Sequence, residues 1–239
     1  MFFPIGLAWV VLQMGAAAQQ PPANPTLDSV LKKMDTVAAR FTTAQAEFEW
    51  DRYEKVIDEV DDVQTGVIYY RRSANNVEMM ADIRKDGPSK DQLKNEPKYV
   101  LFKDEKIEVY QPTPNQLTVY DLGKNSPGFE TYLVLGFGAS GQDLRKEFDV
   151  SLLGPENVAG VPTAELQLIP KSEKVRNNFK QILLWIDLNR GVSVQQKLIT
   201  PQDDYRLATY SDIKLNEPIK NEVFQLKTKK NTQIISPKG

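Results

Sequence analysis

The chain of 239 residues sets 30 Lys and Arg against 32 Asp and Glu, a net charge of −2 that disfavours a nucleic-acid partner held through phosphate contacts. It contains no His and no Cys, which removes Ser-His-Asp and Cys-His nucleophiles, His-ligated zinc and any disulfide framework. Hydrolysis by carboxylates would need an Asp or Glu in a pocket that raises its pKa, and no paired constellation can be placed. The expectation is a protein that is not an enzyme, with no metal and no cofactor.

Residues 1–18 hold a short apolar core, Phe2 to Leu12, and end in Ala16-Ala17-Ala18, the small-residue pattern at which a signal peptide is cut. The apolar stretch, interrupted by Pro4, falls short of the roughly 20 residues that span a bilayer. No Cys follows it to carry a lipid. The reading is a signal peptide over 1–18 and one domain over 19–239, exported from Gln19 as a soluble periplasmic protein.

Asn24-Pro25 has the form of an N-cap followed by Pro at the first helical position. Leu27, Val30, Leu31, Met34, Val37, Ala38 and Phe41 recur at the spacing of one helical face, predicting an amphipathic helix of about five turns that ends near Thr42-Thr43. From Ala44 the period becomes two, with Ala46, Phe48 and Trp50 on one face and Gln45, Glu47, Glu49 and Asp51 on the other. The acidic run Asp58–Asp62 reads as the solvated turn to the next strand, because it lacks the glycine and ligand spacing of a calcium loop.

Strands are then expected at Val63–Arg72, Asn76–Ile83, Lys98–Lys103, Lys106–Gln111 and Gln116–Leu122, with Asp104-Glu105 as a hairpin turn and Arg84–Pro97 as a mobile polar loop. Residues 123–147 interrupt this pattern. Ser126-Pro127 signals a helix start, Phe129, Tyr132, Leu133 and Phe137 follow, and the glycines of 136–141 lead to a polar helical turn at Gln142–Lys146. Such a segment is either a movable lid or a fixed plug. Strands resume at Phe148–Leu153, Thr163–Pro170, Phe179–Leu188, Val192–Thr200 and Tyr205–Leu215, with Asn189-Arg190-Gly191 as a tight connection.

About eleven strands joined by short antiparallel links are too many for a flat sheet, so the expected architecture is mainly β, an unclosed antiparallel half-barrel with an N-terminal amphipathic helix. Alternation proposes its inner face: Phe48 and Trp50, Ile68 and Tyr70, Val77 and Met79, Ile107 and Val109, Leu117 and Val119, Leu184 and Ile186. One helix cannot cover so much apolar surface. The remainder either lines a cavity or is filled by side chains. Arg72 shares the parity of Ile68 and Tyr70, so either its guanidinium finds acceptors such as the free carbonyls at the end of a lid helix, or it sits at the strand mouth and reaches solvent.

These residues resemble the periplasmic lipoprotein carrier family, LolA. The resemblance is carried by the opening amphipathic helix ending at Phe41, Gly66 before Arg72, the Asp104 turn, Tyr110-x-Pro112-x-x-x-Gln116, and Asn216 before Phe224-x-Leu226. Ser73, Glu105 and Lys229-Lys230-Asn231 depart from the family pattern. The resemblance implies a monomeric half-barrel whose hydrophobic cavity takes lipoprotein acyl chains or another amphiphile. It also implies gating by Arg72 with Phe129, Tyr132 and Leu133, an inner-membrane release complex as donor and an outer-membrane receptor as acceptor. The alternative on the same scaffold is a module that senses a lipid and reports it to a membrane partner.

Overall fold

The computed structural model describes residues 24–73, 76–122 and 137–237. The expectations for residues 1–18, Ser126-Pro127, Phe129, Tyr132 and Leu133 lie outside the described residues. Helix α1 spans Leu27–Ala38, about three turns rather than five. Its N-cap is Thr26, not Asn24, because Thr26 and Ser29 exchange side-chain to backbone hydrogen bonds of 3.2 and 3.0 Å and so satisfy donors at the first turn. Phe41 lies beyond the helix end and is buried in the core.

The first six strands are β1 (Thr43–Glu54), β2 (Glu59–Arg72), β3 (Val77–Gly87), β4 (Lys94–Lys103), β5 (Lys106–Gln111) and β6 (Gln116–Asp121). After helix α2 (Gly141–Glu147) come β7 (Phe148–Val158), β8 (Val161–Pro170), the short helix α3 (Glu173–Arg176), β9 (Gln181–Asp187), β10 (Ser193–Ile199), β11 (Tyr205–Leu215) and β12 (Gln233–Ile235). All twelve form one sheet in the order β12-β6-β5-β4-β3-β2-β1-β11-β10-β9-β8-β7. The sheet does not close, so β7 and β12 are its two edges.

Three local expectations change. The turn between β1 and β2 is Lys55–Asp58, and the acidic residues from Glu59 onward belong to β2, where Asp61 accepts two hydrogen bonds from Arg52. The polar stretch Arg84–Pro97 is mostly strand, since β3 runs to Gly87 and β4 starts at Lys94. Ion pairs fasten this hairpin extension: Lys98 meets Asp86 at 2.8 Å, and Lys90 meets Glu49 of β1 at 2.6 Å. The twelfth strand pairs parallel with β6 and is too short to show a period. The Asp104-Glu105 turn is as expected, both residues taking positive φ, and Gly191 does the same in the β9–β10 connection.

Helix α1 lies on one face of the sheet, called here the inner face. Val30, Leu31 and Met34 of α1 share a single cluster with Val77 of β3 and with Leu166 and Leu168 of β8. Six strand spacings, about 29 Å on a flat sheet, separate β3 from β8, so only a strongly curled sheet brings both to one helix about 10 Å wide. A second inner cluster gathers Phe41, Phe48, Ile68, Tyr70, Met79, Phe102, Phe137 and Tyr210. On the opposite face the C-terminal segment covers Met80 and Leu101 with Phe224, which is fully buried.

Candidate functional site

Between the two halves of the inner face lies a cavity of about 310 Å³, lined by β1, β2, β3, β10 and β11. Its wall is built by parity. Trp50 on β1, Ile68 and Tyr70 on β2, Met79 on β3, Leu198 on β10, and Ala208 and Tyr210 on β11 all reach it. Cross-strand register explains the convergence, since Trp50 faces Ala208, Tyr70 faces Met79, and Phe48 faces both Gly66 and Tyr210. Gly66 leaves no room for a side chain: a Cβ there would stand 2.0 Å from the Asp82 carbonyl oxygen.

Phe137 closes the inner end, its ring centroid 5.2 Å from Tyr70 and 4.8 Å from Tyr210. Burial is the main reason that both phenols lie above their ordinary range, Tyr210 reaching about 12 and Tyr70 well above 10. They are neutral at physiological pH and contribute ring surface. The other end carries Arg52, Asp62, Gln64 and Arg206, with Leu198 across from Arg206 and Gln196 midway, across from Ala208. Burial, then the neighbouring Asp86 carboxylate, raises Asp62. Gln64 donates to both Asp62 and Asp86 at 3.2 Å.

Of the expected inner-face residues, the structure brings Trp50, Ile68, Tyr70 and Met79 into the cavity, with Phe48 stacked on Trp50 at a centroid distance of 4.1 Å. Val77, Leu184 and Ile186 share the inner face but are buried in the cluster formed with α1, a filled core. Ile107 and Val109 continue the inner face away from the cavity, paired with Phe102 and Val100 of β4. Leu117 and Val119 face the other way. Register places them opposite Tyr110 and Glu108, while Ile107 and Val109 stand opposite Tyr120 and Thr118. Alternation marks the apolar side of a strand without saying which face of the sheet it joins, and here both faces carry apolar cover.

Arg72 ends β2 as expected, and its Nη1 donates to the Gly138 carbonyl at 3.0 Å while the guanidinium stands 5.4 Å from the Phe41 ring centroid. It thereby joins the strand to the segment leading into α2. Sequence reading left out Arg206, Ala208 and Tyr210, although their spacing of two within Tyr205–Leu215 marks one face, and it left out the mouth residues Arg52, Asp62 and Gln64. Among the described residues no cluster of His, Cys, Asp or Glu is arranged to hold a metal. A larger groove of about 500 Å³ lies on the opposite face, walled by the chain's own C-terminal segment from Glu222 to Lys229.

A curled, unclosed antiparallel sheet with a helix and an apolar cavity on its inner face is the half-barrel architecture expected above, and it recurs among solved structures. Among solved structures, an uncharacterized conserved protein from Thermus thermophilus aligns with TM-score 0.50 and 13% identity over 88% of this chain and 96% of that one. MucB aligns with TM-score 0.50 and 14% identity over 87% of this chain, which spans 65% of the MucB chain. A LolA superfamily protein from Nitrosomonas europaea aligns with TM-score 0.39 and 14% identity over 84% of this chain and 98% of that one. At these identities the likeness is one of fold. No family model and no curated protein matches the chain.

Proposed function

We propose that this chain is a non-enzymatic carrier that works in the periplasm, takes an acyl chain of a lipoprotein or another amphiphile into the inner-face cavity, and releases it to a second membrane. The observation that supports this reading is the unfilled apolar space beside Trp50, Ile68, Tyr70, Met79 and Tyr210 in a sheet whose other half is packed solid by α1. Each buried methylene contributes about 0.8 kcal/mol, so a single chain gains enough to leave water. The volume of about 310 Å³ stands at the small end of the roughly 300–1,000 Å³ range of ligand sites, which favours one chain at a time.

Native protein purified without detergent should carry an acyl-chain lipid or lipoprotein identifiable by mass spectrometry. Ala208→Phe, which fills the cavity from the β11 side, should abolish that co-purification while the protein stays folded by circular dichroism. A wild-type protein that carries no amphiphile and binds no added acyl probe would end this reading.

A further inference from the structure

The polarity of the cavity changes along its strands. On β11 the inner side chains run Tyr210, Ala208, Arg206, and on β1 they run Phe48, Trp50, Arg52. Register sets Arg52 directly across from Arg206, two cations side by side at the same mouth. Like charges in that position repel, and Arg52 is neutralised locally by Asp61, which accepts from its Nε at 2.9 Å and its Nη2 at 2.8 Å. Of the neighbouring acids, Asp51 keeps a buried Oδ1 without a hydrogen-bond partner among the described residues while its Oδ2 lies 3.8 Å from Lys90, and the other two are hydrogen-bonded. Asp86 accepts from Lys98 and Gln64, and Asp62 from Gln64. Among the described residues the Arg206 side chain makes no hydrogen bond and no ion pair, yet it lines the cavity.

We propose that the mouth is a headgroup site, in which Arg206 binds the anionic end of a single-chain amphiphile, a carboxylate or a phosphate, while the chain runs inward toward Tyr210 and Tyr70. The inference rests on the acyl-chain reading of the cavity. From Arg206 to Tyr210 the strand rises about 14 Å, so head and tail are separated along one wall. Arg206 is exposed at the mouth, and its guanidinium presents a fork of donors that matches the oxygens of either anion.

Calorimetric titration of the full chain at neutral pH with decanoate, decyl phosphate and decanol, together with the fluorescence of Trp50, tests the site. Wild type should bind at least one of the two anions about tenfold or more tightly than decanol, and the tighter anion identifies the headgroup source. Arg206→Gln should erase that preference by weakening the anions to the level of decanol, while Arg206→Lys retains part of it. Equal affinity for anions and decanol in wild type, or a preference that survives in Arg206→Gln, overturns the headgroup site and leaves the cavity reading standing. Failure of all three probes to bind overturns both.

Discussion

Asp187 shows how one carboxylate closes a turn. It is 3% exposed at the end of β9, and it accepts from the backbone N–H of Asn189 at 2.8 Å, of Arg190 at 3.1 Å, and from the Arg190 Nε at 2.5 Å. Burial alone would raise its pKa, but the Arg190 side chain and these two backbone donors hold it below the ordinary carboxylate range. A depressed folded-state pKa means stability that is present above the unfolded value of 3.8 and is lost as the pH falls through the folded one. Asp187→Ala should therefore cost about 2–4 kcal/mol at neutral pH, with the gap from wild type narrowing under acid, as read by urea denaturation across pH. Asp62 has the opposite sign. Its pKa is raised by burial and by Asp86, so the folded state binds the proton more tightly and stability falls as pH rises above the unfolded value. Asp62→Asn should raise the urea midpoint at neutral pH, and the difference should disappear at low pH where wild-type Asp62 is protonated.

Elements were legible where a period or a turn residue imposed them. The strands from Ala44 to Trp50 and from Phe148 onward, the Asp104-Glu105 turn and the polar helix after Ser140 follow from alternation, positive φ and capping. Arg84–Pro97 misled because a hairpin that outruns the core has no apolar face to alternate, and its ion pairs join residues far apart in the chain. The face of Leu117 and Val119 depended on the register with β5, a long-range fact. The C-terminal strap was illegible for the same reason. Phe224 sits in a 3-10 turn at Asn221–Phe224 with no period, and its burial depends on Met80, Leu101 and the Arg71 guanidinium 4.4 Å above its ring. Phe224→Ala should cost about 3–5 kcal/mol by denaturant unfolding. Acyl-probe affinity should stay within about twofold of wild type in the folded variant, because the strap covers the face opposite the cavity. A parallel loss of affinity would relocate the ligand site to the outer groove.

At the scale of the molecule, the packed half and the hollow half meet at Arg72. Its backbone N–H donates to Thr42 before β1, and its guanidinium reaches the Gly138 carbonyl, so one residue ties the hollow half's strands to the segment carrying Phe137 and α2. Gly138 takes φ +116, and a Cβ there would stand 2.6 Å from the Phe41 ring, so the segment approaches the core closely at this point. Phe137 is fully buried and packs on Tyr70 and Tyr210 at the inner end of the cavity. A charge-assisted hydrogen bond of about 1.5–3 kcal/mol favours the plugged arrangement. Arg72→Leu removes that bond and adds apolar surface, so on the carrier function proposed above the plugged state would compete less strongly with a bound acyl chain. An acyl probe should then bind at least as tightly as to wild type and pass to acceptor vesicles several-fold more slowly, and amides at Phe137–Ala139 should exchange hydrogen faster. Unchanged transfer with unchanged exchange would make Arg72 a strand-end anchor and leave Phe137 a fixed plug.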